Sequence, residues 1–370
     1  MMNHVSVLKV HLGALQHNFN FFRSRLLKTT KVLGVVKAFG YGSEAVVIAK
    51  HLETIGADYL AVAYTKEGVA LRKAGIELPV LVLHPQIDQF DLLLKNCLEP
   101  NLYNFKSLKS FIAIVSKKQL KAYPIHIKFN TGLNRLGFLE DDIPKIIELI
   151  NKNSSVKVVS VFSHLAASED KAEQDFTLQQ ISRFNKIRNN LKNKFAHKPL
   201  FHILNTSGLI NYSDSQLDMV RIGIGLYGFG NDVTTTSLLQ SVIQLQSKIS
   251  QIHEIKAGES VGYNRAFKSA TAIKTATIPI GHADGISRLQ GNGVGYVYIN
   301  NQKAFIVGNV CMDMIMVDVT AINCNEGDTV YIYKDQVHIE DLALRQGTIS
   351  YELLTAISQR ISRKIIDQSK

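Results

Sequence analysis

VLGVVKAFGYG, residues 32–42, is the stretch on which the fold turns. A short apolar run that ends in one lysine, followed at once by two glycines around a tyrosine, reads as a buried parallel strand running into a ligand-facing turn. The same texture recurs outward from it. Val32–Lys37, Asp58–Ala63, Pro79–His84, Cys97–Tyr103, Pro124–Asn130, Val156–His164, Leu200–Asn205 and Met219–Ile222 are candidate strands. Helical patterns fall between most of them, for example Ser43–Gly56 and Thr65–Gly75. Strands alternating with helices in this number predict an α/β fold, a (β/α)8 TIM-like barrel.

Beyond about Val233 the texture changes. TAIKTATIPIG, VGYVYIN, QKAFIVGNV, MIMVDVT and DTVYIY are β-branched and aromatic, with Gly, Asn or Asp between them. This predicts a C-terminal all-β domain. The polar NDVTTTS, Asn231–Ser237, reads as the linker. The expected organisation is an opening strand within 1–12 that pairs with the second domain, a barrel over 13–233 and a β-domain over 234–370.

Composition excludes several classes. The chain has 370 residues, 46% hydrophobic and 20% charged, which is globular and not disordered. No run of about 18 apolar residues occurs, so no transmembrane helix is expected. The N-terminal MMNHVSVLKVHL has no continuous apolar core of a signal peptide. Three cysteines, Cys97, Cys311 and Cys324, make no disulfide framework, and a cytoplasmic location is expected. The net charge is +11. Much of it sits between Phe176 and Ser213, where Arg183, Lys186, Arg188, Lys192, Lys194 and Lys198 occur without an acid. Ile181, Phe184, Ile187 and Leu191 form the inner stripe of a helix there. The charges read as its solvated face. No aromatic side chains interleave with them to stack bases, so no nucleic-acid partner is expected.

In a barrel, chemistry belongs at the C-terminal ends of the strands. Lys37 stands at such an end. Two readings of it are open: a side chain that snorkels to solvent, and a desolvated amine of lowered pKa, usable as a nucleophile. Gly40-Tyr41-Gly42 is either an ordinary strand–helix turn or a close backbone approach to a ligand. His202-Ile-Leu-Asn205-Thr206-Ser207-Gly208 and Arg221-Ile-Gly223-Ile224-Gly225 follow strands seven and eight, the usual phosphate site of this barrel. An amine opposite a phosphate cradle points to pyridoxal 5′-phosphate (PLP). No metal-ligand pattern is evident.

With these come VVKAFGYG, HIKFNTGLNRLGF, FSHLAAS, NTSG, RIGIGLYG, VGYNRAF, IGHADGISR, GNVCMDMIMVDV and GTISYE. Together they resemble alanine racemases, PLP enzymes of fold type III, over nearly the whole chain. The resemblance implies that Lys37 carries PLP. Tyr41, Thr206 and Tyr351, with the amides of Gly223 and Ile224, match its phosphate ligands. Arg221 matches the partner of the pyridine nitrogen. An arginine does not readily give the ring a proton, which favours return of a proton to Cα over side reactions.

Racemisation needs an acid–base group on each face of a planar carbon. The resemblance assigns these to Lys37, for the D-enantiomer, and to Tyr263 of a partner subunit, for the L-enantiomer. It links Tyr263 to Arg221 through His164. Arg135 and the partner's loop of Met312 and Asp313 match the pocket for the alanine carboxylate. Lys128 matches a lysine that many members carbamylate. The implied molecule is a homodimer with shared sites that supplies D-alanine for peptidoglycan. A broader serine/alanine racemase of the same fold is the alternative. Departures from the family pattern include His282 in place of a tyrosine of the substrate entrance, Asn130 in place of Asp, Phe39-Gly40 in place of Asn-Ala, Ser43-Glu44 in place of His-Gly, and Thr206 in place of Ser.

Overall fold

The computed structural model describes residues 5–367, so the first four and last three positions of the expected domains lie outside it. In chain order the strands are β1 (Val7–His11), β2 (Lys31–Val35), β3 (Tyr59–Val62), β4 (Val80–Val82), β5 (Glu99–Leu102), β6 (Tyr123–Lys128), β7 (Val156–Phe162), β8 (Leu200–His202) and β9 (Met219–Ile222). Strands β2 to β9 form one parallel sheet in the order β8-β7-β6-β5-β4-β3-β2-β9. Backbone bonds from Asp218 N to Phe201 O (3.1 Å) and from Arg221 N to Leu204 O (3.0 Å) stitch its two ends. The sheet is the nearly closed barrel of a (β/α)8 fold, as the alternating pattern predicts.

Its helices follow their apolar stripes. Phe105–Lys117 buries Leu108, Phe111, Ile112 and Val115, and the Asn104 side chain caps its start by accepting from Ser107 N at 2.8 Å. Gln174–Leu191 buries Ile181, Phe184, Ile187 and Leu191, which leaves its basic residues outside.

Ten further strands follow: β10 (Ile243–Lys248), β11 (Gln251–Ile255), β12 (Ser260–Val261), β13 (Phe267–Lys268), β14 (Ile273–Ile278), β15 (Tyr296–Ile299), β16 (Gln302–Phe305), β17 (Ile315–Asp318), β18 (Thr329–Tyr333) and β19 (Ser362–Ile366). A six-stranded sheet runs β16-β15-β18-β10-β1-β19. The opening strand therefore lies between β10, antiparallel, and β19, parallel. Strands β11, β14 and β17 form a second sheet.

Three details differ from the sequence reading. The C-terminal part is mostly β, not all β. Gln336–Arg345 and Ser350–Ala356 are helices, the first capped by Asp335, whose side chain accepts from His338 N. The polar linker holds a helical turn, Val233–Leu238, because the Asp232 side chain accepts from Thr235 N at 2.7 Å. Finally, β2 ends at Val35, before Lys37, because the chain there leaves the sheet for an unusual turn.

Candidate active site

That turn is left-handed. Ala38, Phe39, Gly40 and Tyr41 have φ of 53°, 56°, 64° and 52°, and Gly42 follows at 81°. Left-handed helical backbone costs L-residues roughly 1–2 kcal/mol each, so Ala38, Phe39 and Tyr41 need outside support. Glu67 supplies one support, accepting from Ala38 N at 2.7 Å and from Ala63 N at 2.7 Å. Arg363, near the other end of the chain, donates twice to Gly42 O, at 2.8 and 3.1 Å. Its guanidinium also lies 5.3 Å from the Phe39 ring centre. A β-carbon on Gly42 would stand 2.2 Å from Leu354 O, so this position requires glycine for space as well as for φ.

The turn aims Lys37 and Tyr41 into a cavity of about 470 Å³ at the C-terminal ends of the strands. Lys37, Tyr41, Lys128, Arg135, His164, Thr206, Arg221, Gly223, Ile224 and Tyr351 all line it, and among the described residues no carboxylate does. Burial, then the nearby Arg135, lowers the Lys37 pKa, while Glu67 opposes the shift. Burial and the charges of Arg135, Arg221 and Lys37 pull Lys128 down to about 8. A pocket this cationic is matched to a ligand carrying several negative charges.

At the far end, Thr206 Oγ1 accepts from Gly223 N (3.2 Å) and Gly225 N (3.4 Å). Ile224 opens a short 3-10 turn, Ile224–Tyr227, where the first amides have no acceptor within the turn. A β-carbon on Gly223 would lie 2.5 Å from the Tyr41 hydroxyl, so glycine is what allows this tyrosine to reach the cradle. The Tyr41 and Tyr351 rings are 6.1 Å apart. Amides and hydroxyls thus converge as an anion site requires.

Arg221 is buried, 4% exposed. Its Nη2 donates to Ser163 O (2.8 Å), Ile203 O (2.9 Å) and His164 Nδ1 (3.0 Å), and its Nη1 to His202 Nδ1 (2.6 Å). Burial draws its pKa down to about 9, which still leaves a cation at neutral pH. Burial, and next the Arg221 charge, keep His164 and His202 neutral by lowering both pKa values well below 6.5. Because His164 Nδ1 accepts from Arg221, its proton is on Nε2.

Four expected site residues do not line this cavity: Tyr263, His282, Met312 and Asp313. Tyr263 and Met312 are 72% and 59% exposed. His282 N donates to Cys311 O at 2.9 Å and Ala283 N to Met312 O at 3.0 Å, which ties the His282 turn to the Met312 loop. Arg360 clamps both, bonding Asp284 at 2.6 Å and Asp313 at 2.7 Å. Asn130 accepts from Gly132 N and Asn134 N and so shapes the loop before Arg135. Tyr64, His84, Asn101 and Phe162 also line the cavity and were missed in the sequence. The signal available for His84, Asn101 and Phe162 was their place at or near strand ends.

Fold and cavity together define a barrel enzyme with a cationic, anion-binding site at its strand ends and a β-rich second part. Residues 10–230 match the alanine racemase N-terminal domain, and residues 242–365 the alanine racemase C-terminal domain. The chain belongs to the alanine racemase family. It is 35% identical over 365 residues to alanine racemase 2 of Caldanaerobacter subterraneus subsp. tengcongensis, covering 96% of this chain and 93% of that one. The alanine racemase structure of Clostridium difficile 630 superposes with a TM-score of 0.93 at 31% identity, covering 100% of this chain and 98% of that one. The alanine racemase from Bartonella henselae, solved with covalently bound pyridoxal phosphate, has a TM-score of 0.88 at 28% identity, covering 98% and 100%.

Proposed function

We propose that the chain interconverts L- and D-alanine with PLP held on Lys37. The observation that carries this is a single cavity with a desolvated amine at one end, an amide–hydroxyl cradle at the other and, among the described residues, no carboxylate in its lining. The residues present fit the cofactor: Lys37 as the attachment point, Tyr41, Thr206, Tyr351, Gly223 and Ile224 around the phosphate, and Arg221 at the pyridine nitrogen. When bound, PLP supplies the electron sink that makes an amino-acid α-proton removable.

The chain's own residues do the rest. Lys37, its pKa lowered, holds or takes a proton on one side of the substrate Cα. Arg135 binds the substrate carboxylate. Arg221 orients His164, whose Nε2–H points its donor away from Arg221. That donor is available to a tyrosine hydroxyl on the opposite side of the Cα. We assign that role to Tyr263 of a second copy, with Met312 and Asp313 of the same copy at the carboxylate and His282 at the entrance. The exposure of Tyr263 and Met312, absent from their own chain's cavity, supports a homodimer with shared sites. The lowered pKa of Lys128 supplies free amine near neutrality, the form that takes up CO2, and a carbamate there would relieve the clash with Arg135.

On this reading residues 13–233 bind the cofactor, with Tyr351 added from 234–370, and 234–370 also carry the groups lent to the partner. The D-alanine made serves peptidoglycan. Free Cys97, Cys311 and Cys324 suit the cytoplasm, and no helix among the described residues is long and apolar enough to cross a membrane. Borohydride reduction of the PLP-loaded protein and peptide mapping test the assignment. The label belongs on Lys37, and label elsewhere overturns the site.

A further inference from the structure

The interior of a (β/α)8 barrel is ordinarily filled with branched apolar side chains. Here a polar belt crosses it, with one member on each of five strands: Glu99 on β5, His126 on β6, Ser160 on β7, His202 on β8 and Arg221 on β9. Every link is short. Arg221 Nη1 to His202 Nδ1 is 2.6 Å, His202 Nε2 to Ser160 Oγ 3.0 Å, Ser160 Oγ to His126 Nδ1 2.6 Å, and His126 Nε2 to Glu99 Oε2 2.7 Å. His126, Ser160 and His202 are wholly buried, and Glu99 is 9% exposed.

The chemistry of the two ends sets the direction of every bond. A guanidinium only donates and a carboxylate only accepts. His202 therefore accepts at Nδ1 and donates from Nε2 to Ser160. Ser160 donates to His126 Nδ1, and His126 donates from Nε2 to Glu99. In this pattern each imidazole donates one bond and accepts one. The belt thus joins a buried guanidinium to the Glu99 carboxyl group through three groups that each donate the same way. In a low-dielectric interior such aligned bonds polarise one another.

The cavity side of Arg221 has the opposite character. Lys37, Lys128 and Arg135 line the same cavity, and among the described residues no carboxylate does. The hydrogen-bonded route from Arg221 to an acid runs away from the cavity, down the belt.

We propose that Glu99, acting through His126, Ser160 and His202, is a positioning residue for Arg221: it is the acceptor end of the belt that fixes how the guanidinium is hydrogen-bonded and oriented toward the cofactor ring. The proposal rests on the placement of Arg221 at the pyridine nitrogen. Glu99 touches neither substrate nor cofactor. It sets the field at the ring from the opposite side of the barrel.

The test uses Glu99→Gln and Ser160→Ala in the full-length, PLP-loaded protein labelled with 15N-histidine. Glutamine keeps the volume but ends the obligatory acceptor. Alanine cuts the belt in the middle without changing any charge. Solid-state NMR reads the ring nitrogens, with His202 assigned by its loss in His202→Asn. In the unaltered protein His202 has a bare Nδ1 and a protonated Nε2. Both variants are expected to move the His202 ring signals and the visible absorption band of bound PLP. They are also expected to lower kcat in both directions by about 2- to 30-fold, the span of typical coupling energies through a packed network. KM for alanine stays within about twofold, since Arg135 is untouched.

Unchanged His202 signals and an unchanged band in a folded variant overturn the proposal. If Glu99→Gln does not fold, Ser160→Ala decides alone. If the ring signals move but the band and kcat do not, the belt stops short of the ring. The proposal then fails while the attachment of PLP to Lys37 stands.

Discussion

Replacing Lys128 by methionine should make this protein more stable at neutral pH. The Lys128 ammonium is nearly buried, 7% exposed, and shares its cavity with Lys37, Arg135 and Arg221. Its pKa falls from the ordinary 10.5 to about 8, first through burial and then through those three charges. At about 1.36 kcal/mol per pH unit, the protonated form costs the folded state about 3 kcal/mol. The sign follows from where the proton is held more tightly. The unfolded chain keeps it up to about pH 10.5, and the folded chain loses it near pH 8, so the penalty is complete below about pH 8 and gone above 10.5. Methionine has a similar length and no charge, so Lys128→Met removes the penalty. With an unfolding entropy of about 2.1 cal/mol/K per residue, the gain is roughly 4 °C in Tm for a chain of this length. Circular dichroism melts in CO2-depleted buffer at pH 7 and pH 9.5 measure it. The advantage should shrink by more than half at the higher pH. Bicarbonate at pH 7 should shrink it too, by converting the amine to a carbamate anion. A variant no more stable than the parent at pH 7 without CO2, or an advantage independent of pH, refutes the account.

Three other outcomes are expected. Mixing inactive Lys37→Ala with inactive Tyr263→Phe chains restores part of the activity, because one hybrid site receives both an intact lysine and an intact tyrosine; a mixture that stays inactive rules out shared sites. Tyr263→Ala slows exchange of the α-proton of L-alanine far more than that of D-alanine, read by deuterium uptake, and equal losses would refute face-specific roles. Gly42→Ala destabilises the fold by about 2 kcal/mol or more in denaturant titrations, since the methyl meets Leu354 O at 2.2 Å and the backbone is left-handed; a neutral result would mean the turn relaxes freely.

The barrel was legible because each strand is a short apolar run set between helical patterns, and all eight runs read as strands are strands. Their ends were less so. Nothing in Ala38-Phe39 announces left-handed backbone; that conformation is imposed by Glu67 and Arg363, which are remote in sequence. The helices Gln336–Arg345 and Ser350–Ala356 hid inside a region rich in β-branched neighbours, although Asp335 was a visible cap. Lys37, Tyr41, Thr206 and Arg221 stood out at strand ends, and the cavity brings them together. Glu99, His126 and Ser160 did not, because a polar residue within a strand reads as solvent-facing until closure of the barrel turns it inward. Tyr263 and Met312 could be placed only by resemblance, since no pattern within one chain marks a residue whose work is done in another.

The pairing of β1 with β19 has a consequence for how the molecule is made. A chain emerges from the ribosome from its N-terminus at roughly 5–20 residues per second, so the first strand waits some 20–70 s for the last one. Through that interval one edge of β1 is open, and the turn after Lys37 lacks Arg363, which donates to Gly42 O. The nascent barrel can close its eight strands before then, yet its cofactor-facing turn has no bond to hold it left-handed from that side. Competence to bind the cofactor firmly should therefore appear only once β19 has emerged. A ribosome stalled before β19 emerges would display a folded barrel that cannot retain PLP.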